Sequence, residues 1–404
     1  MRHVVFVAPY PLQTTLRFSA AIARLEDVRL TGVFQQKPQG EVAKLFANVA
    51  LVDNVFDPAQ VVDGVRSLEP LHGPAHRVLG ILEELQGALS QARQVLGLPG
   101  IDPETSLRFR DKGVMKQALR AGGVPCARHA RLRSAEDAWR FVDEVGFPVV
   151  LKPPSGAGCR ATWRVSSPQE LAEAVADTQP SPTREVLAEE FLTGAEYTFE
   201  TLTLDGRIGF HHIGRYYPSP LEVMEKPWIQ WCVLCPRDIS GPVFDEAREL
   251  GARTIAALGL GTSITHMEWF KRPDGRLAVG EIAARPPGAQ IVELMSQVHD
   301  RDMHLEWARL MVDDEIRGPW ERKYAAGVAF LRGLGEGRVT AVEGLEEAQR
   351  KMGHLVVKAQ LPQVGAPRRP GYEGEGWALV RHPDTEVVKQ ALFELITTVK
   401  IRYA

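Results

Sequence analysis

The segment Val149-Val-Leu-Lys-Pro-Pro-Ser-Gly-Ala-Gly158 carries an apolar run through a lysine into a loop of small residues. Small residues let backbone N–H groups approach an anion closely, and a lysine adds a point charge. Lys152 with Ser155, Gly156, Ala157 and Gly158 is therefore suited to phosphate. Lys152 also closes an otherwise apolar strand, where an unpaired ammonium is costly. This is not a Walker A loop, because the chain contains no Gly-Lys dipeptide. A second constellation lies downstream. The runs 265–270 and 276–283 read as a hairpin turning at Arg272-Pro-Asp-Gly275, which sets Glu268 nearly opposite Glu281. Like charges opposed on neighbouring strands need a cation between them. Two carboxylates beside phosphate oxygens suit Mg²⁺, which prefers octahedral oxygen ligation and borrows ligands from phosphate. Arg285 follows Glu281 by four residues, on the same face of an extended chain.

Other groupings carry less. Cys232-Val-Leu-Cys235 has no second pair and apolar flanks, so it reads as a buried strand rather than a zinc site. His211-His212 lies in an expected strand, where adjacent rings point to opposite faces and cannot chelate together. Gly259-Leu-Gly261 follows a helix and reads as its stop. His266 reads either as a core histidine or, two residues before Glu268 on one face, as a support for it.

The elements that must position these groups follow from the hydrophobic pattern. In the first hundred residues, β-rich runs at 4–8, 28–34 and 49–52 alternate with more polar segments, and 82–96 has helical spacing ending at Gly97. That predicts an α/β, doubly wound parallel sheet. No Gly-x-Gly-x-x-Gly follows the first strand, which argues against a nicotinamide-binding domain. Asp111 opens a helix to about Ala121, while Ser134 and Ser167 each begin a capping box. Strands are expected at 147–152, 185–192, 196–204 and 207–213. One short strand and a terminal helix are expected in the last ninety residues.

Lysine plus arginine total 48 and aspartate plus glutamate 51, a net charge of −3 that gives no bulk attraction to nucleic acid or an anionic membrane. No apolar stretch approaches the roughly 20 residues of a membrane-spanning helix. The start, MRHVVFVAPYPLQ, reads as a strand rather than a signal peptide. Four cysteines are too few for a disulfide framework and suggest a cytoplasmic setting.

Five motifs occur in a fixed order: Arg110-Asp-Lys112, Lys152 with its loop, Ala188-Glu-Glu-Phe-Leu-Thr-Gly-Ala-Glu196, His266-x-Glu268 and Glu281-Ile-Ala-Ala-Arg285-Pro-Pro-Gly288. The series resembles the ATP-grasp superfamily over residues 110–288, closest in style to its L-amino acid ligase branch. The resemblance implies a pre-ATP-grasp domain at 1–108 and an ATP-grasp domain at 109–312 with a lid lobe at about 124–195. A C-terminal α+β lobe at 313–404 would complete the large domain. It implies ATP as nucleotide, with Lys112 and Lys152 on its phosphates. Glu189, Glu190, Phe191 and Leu192 would lie beside adenine, and Glu196 would receive the ribose hydroxyls. Mg²⁺, with Mn²⁺ as its substitute, would sit on Glu268 and Glu281. Arg285 would stabilise the transferring phosphoryl group. Glu225-Lys-Pro-Trp228 stands where that branch has Glu-x-x-His, which places Glu225, Trp228, Arg285 and Gly288 in a substrate pocket. Ala283 replaces the metal-binding asparagine of many members.

The implied activity is Mg-ATP-dependent joining of a small carboxylate to an amine through an acyl phosphate. The partners would be small molecules rather than nucleic acid or membrane, with a homodimer allowed. Two alternatives stay open: activation of another carboxylate or bicarbonate for a non-amino-acid acceptor, and a non-catalytic ATP-binding regulator.

Overall fold

The valine-rich start forms the strand Arg2–Ala8 in the computed structural model, which describes residues 1–156, 161–226, 228–369 and 371–404. Both faces of this strand meet apolar partners. Val4 and Phe6 pack with Phe18 and Ile22, whereas Val5 and Val7 pack with Val61, Val65 and Leu89. It pairs in parallel with Val28–Phe34 and Ala75–Leu79, and Val28–Phe34 pairs in parallel with Val49–Leu51. Helix Gln13–Ala23 covers one face, and Pro58–His72 and Gln86–Leu96 cover the other, as the alternating pattern predicts. Gly97 closes Gln86–Leu96 at a φ of 66°, the left-handed cap that favours glycine.

A second, antiparallel sheet orders His129–Leu132, Val186–Glu190, Val149–Lys152 and Trp163–Val165. Its helices begin where the capping boxes predict. Ser134 accepts from the Asp137 N–H and Ser167 from the Glu170 N–H, while Glu170 reaches back to the Ser166 N–H at 2.8 Å. Val149, Leu151, Val186 and Ala188 pack against Phe141 and Leu171 of those helices. Strand alternation then sends Val150, Lys152, Leu187 and Glu189 to the opposite face.

The largest sheet is antiparallel and runs Leu277–Ala283, Ser263–Lys271, Ala195–Leu204, Arg207–Tyr217, Trp231–Cys235, Ala325–Leu331, Gly376–His382, Val356–Gln360. Phe199, Met267, Trp269 and Ile282 on one face pack with Leu250 and Leu258 of helix Pro242–Leu258. Glu196, Glu200, His266, Glu268 and Glu281 alternate with them and occupy the other face. Among the described residues no helix is long and apolar enough to cross a membrane.

The C-terminal region departs from expectation. It holds five strands among the described residues, three of them in the largest sheet, and Val339–Glu343 pairs with Lys400–Tyr403. Ala325–Leu331 is buried at every position, so it has no polar alternation to read, and its alanines and glycine are weak strand formers.

Candidate functional site

Asp111 fixes the first element of the site. Its carboxylate accepts the Val114 N–H at 2.9 Å, caps helix Lys112–Ala121 and pairs with Arg131 of the neighbouring sheet. One helical turn separates Lys112 from Lys116, so both project from one face. The Lys112 Nζ lies 3.0 Å from Glu281 Oε1 and donates to the Gly156 carbonyl at 2.5 Å. Lys116 is fully buried; its Nζ donates to the Gly280 carbonyl at 2.7 Å and lies 3.5 Å from Glu189 Oε2. Across the gap, the Lys152 Nζ reaches the same Glu189 oxygen at 2.9 Å. Burial alone would raise the Glu189 carboxyl's pKa, but Lys116 and Lys152 outweigh it and hold the group below its ordinary range. Burial also opposes ionisation of Glu281, and Lys112 and Lys152 likewise hold it low.

The hairpin sets Glu268 directly opposite Glu281, as its spacing predicts, and then shifts register so that Trp269 faces Val279. Gly280 is the extra residue of this bulge, a device that re-aims neighbouring side chains. A Cβ there would come within 2.9 Å of the Phe270 ring. Glu268 Oε1 accepts from the Tyr216 hydroxyl at 3.2 Å. His266 Nδ1 lies 2.8 Å from Glu200 Oε1 and Nε2 lies 3.4 Å from the Tyr216 oxygen. Burial opposes the imidazolium, yet hydrogen bonds to Glu200 and Glu268 prevail and raise its pKa to about 9. Glu196 is buried beside Glu268 and Glu281, and both burial and those charges push its carboxyl well above the usual range.

Arg285 leaves the end of the hairpin and meets the N-terminal region. Its Nε donates to Glu83 Oε2 at 2.7 Å, and a terminal nitrogen donates to the Pro286 carbonyl at 3.0 Å. Ala283 is buried opposite His266, one strand repeat beyond Glu281.

The remaining expected residues divide by position. Glu190 points away from Glu189 and pairs with Arg128 at 3.3 Å and Arg272 at 3.4 Å. Phe191 lies under the Arg164 guanidinium at 4.4 Å, and Leu192 packs with Ala127 and Ala278. Glu225 pairs with Arg164 at 3.5 Å, whereas Trp228 is 64% exposed. Gly288 is exposed, as are Ser155 and Gly156; Ala157 and Gly158 lie outside the described residues. Lys116, Glu83, Glu200 and Tyr216 belong to the cluster without having been expected there. Lys116 alone had a signal, its helical spacing from Lys112.

These residues fit a nucleotide carrying a metal. Glu189 Oε1 is buried without a hydrogen-bond partner, an acceptor that a purine amino group would satisfy. Among the described residues no group of three or more His, Cys, Asp or Glu side chains could hold a metal ion. A cation on Glu268 and Glu281 would have to share ligands with phosphate, as Mg²⁺ does.

Residues 117–298 match the family model of the ATP-grasp domain. The chain is 26% identical over 288 residues to an uncharacterized protein of Sinorhizobium fredii, spanning 70% of this chain and 58% of that one. It is 26% identical over 255 residues to the L-arginine-specific L-amino acid ligase of Bacillus subtilis, spanning 62% of this chain and 60% of that one. The chain thus matches less than two thirds of the length of these curated relatives. Its structure aligns with L-amino acid ligase from Bacillus licheniformis at a TM-score of 0.81 and 20% identity, covering 100% of this chain and 99% of that one. The chain carries an ATP-grasp domain, and its fold is the one seen in that ligase.

Proposed function

We propose that this ATP-grasp protein is a carboxylate-amine ligase that uses Mg-ATP and releases ADP and phosphate. One observation carries the reading: Lys112 and Lys152 converge on Glu281 and Glu189, while Glu268 opposes Glu281 and Arg285 enters from the end of the same hairpin. In the proposed reaction a substrate carboxylate oxygen attacks the γ-phosphorus, the bond to the β-phosphate oxygen breaks, and an acyl phosphate and ADP result. The amine then attacks the acyl carbon, phosphate leaves with the bonding pair, and the amine proton passes to solvent.

Lys112 and Lys152 would neutralise the phosphates, and Glu268 and Glu281 would hold the metal, which supplies charge stabilisation when bound. Arg285 would face the oxygens on which charge develops, with its fork held by Glu83. Positioning and charge account for such a rate without a protein nucleophile. Glu225 would meet the ammonium of an amino-acid substrate. The sheet bearing Lys152 would act as a lid that keeps water from the acyl phosphate.

The test is a screen of amino-acid pairs for ADP release, with mass spectrometry of the product. ADP and an amide of the paired masses are expected. AMP and pyrophosphate tracking product would refute the chemistry, and failure of Mg-ATP to raise the melting temperature would refute nucleotide binding itself.

A further inference from the structure

We infer that Tyr216, backed by His266 and Glu200, is a positioning residue that aims Glu268 at the metal of the nucleotide; the inference rests on the metal assignment proposed above. Three adjacent strands supply the parts, because His266 registers with Glu200, Glu268 with Thr198, and Thr198 with Gly214 two residues before Tyr216. The contacts form a directed chain. Glu200 is fully buried, and its Oε2 accepts from the Thr198 hydroxyl at 3.1 Å. The Thr198 oxygen in turn accepts the Gly214 N–H at 3.2 Å, which ties the chain to the backbone. Glu200 Oε1 takes the Nδ1 side of His266 at 2.8 Å, and Nε2 faces the Tyr216 oxygen at 3.4 Å. The Tyr216 O–H donates to Glu268 Oε1 at 3.2 Å. Packing of the Tyr216 ring near Trp231, at 5.5 Å between centroids, limits its swing.

Glu268 stands on a strand beside a bulge, with a flexible side chain opposed to the like-charged Glu281. Left to itself it would turn away from that charge. Tyr216 donates to Oε1 at 3.2 Å and the His266 ring lies 3.8 Å from the same atom, which anchors that oxygen and leaves Oε2 for a cation. Supporting contacts of this kind typically change metal affinity by about 10- to 100-fold when removed.

The experiment is a Mn²⁺ titration followed by electron paramagnetic resonance in the presence of ADP, on the parent, Tyr216→Phe and Glu200→Gln. Metal-free ADP affinity is measured alongside. The expected result is a half-saturating Mn²⁺ concentration raised about 10-fold in both variants, with metal-free ADP affinity unchanged. A Mn²⁺ titration of Tyr216→Phe that superimposes on the parent overturns the inference. So does an equal loss of metal-free ADP affinity, which marks a merely structural role. Tyr216→Phe removes one oxygen and keeps the ring, so it decides the matter even where Glu200→Gln does not fold. A parent that binds ADP and no Mn²⁺ overturns the metal assignment, and this inference with it.

Discussion

Removing the Glu83 carboxylate should disable Arg285 without touching the nucleotide. The pair lies 2.7 Å apart, with side-chain exposures of 17% for Arg285 and 7% for Glu83. At an effective dielectric of about 20 the Coulomb energy at such a distance is about 6 kcal/mol, most of it offset by desolvation of two charges. Losing one partner is different, since it leaves the other charge buried and uncompensated, typically at about 3–5 kcal/mol. Arg285 keeps some solvent, so Glu83→Ala should lie at the lower end, about 3 kcal/mol. Without its anchor the fork should shift, and a misplacement of about 1 Å near reacting atoms costs about 100-fold in rate. The assays are urea unfolding and ADP release at saturating Mg-ATP, with Glu83→Gln as the milder variant that keeps shape and one hydrogen bond. Stability within about 1 kcal/mol of the parent together with parental turnover in Glu83→Ala would refute the reasoning.

Arg285→Ala should retain ATP affinity in a binding titration and lose about 100-fold or more in turnover, because its contact strengthens where charge develops. In a Mg²⁺ titration at saturating ATP, Glu281→Gln should be severely impaired and Ala283→Asn should need slightly less Mg²⁺; near-parental activity in Glu281→Gln would remove the metal assignment. Acid should destabilise the fold through histidines that the proposed reaction does not use: burial and nearby arginines depress His211 to about 4 and His299 to about 3. Their contribution is present above the unfolded value of 6.5 and is lost as pH falls toward those folded values, about 2 kcal/mol each by pH 4.5. Urea midpoints should therefore fall between pH 6.5 and 4.5, and His299→Gln should flatten the slope.

The legible parts of the molecule are those governed by local rules. Ser134, Ser167 and Asp111 announce helix starts because capping needs particular side chains at a fixed spacing. Hairpin spacing brings Glu268 opposite Glu281 because strand pairing is a matter of counting. The bulge at Gly280 and the long-range partners are invisible in the same sense that they are non-local. Glu83 meets Arg285 across 202 residues and His266 meets Glu200 across 66, and nothing near either glutamate marks it apart from a surface acid. Buried Ala325–Leu331 escapes for the opposite reason, having apolar side chains on both faces and no period at all.

The unexpected partners explain how so many charges share one half-buried face. Arg285 rests on Glu83, His266 on Glu200, Lys112 on Glu281, and Lys116 and Lys152 on Glu189. Each cation thus has an anion of its own chain. On the proposed reading, a metal triphosphate enters by exchange: Lys112 and Lys152 turn to phosphate oxygens, and Glu281 turns with Glu268 to the metal. Charges that lose one partner gain another, so entry avoids the cost of leaving a buried charge unpaired. The low pKa of Glu281 serves that exchange, because the carboxylate is already ionised when the metal arrives. Alanine at 283 is tolerable on the same argument. It removes a neutral oxygen donor, which water can replace on an ion that dehydrates reluctantly. It leaves unchanged the set of charges that must be matched, and those charges, more than the count of ligands, decide whether the nucleotide is held.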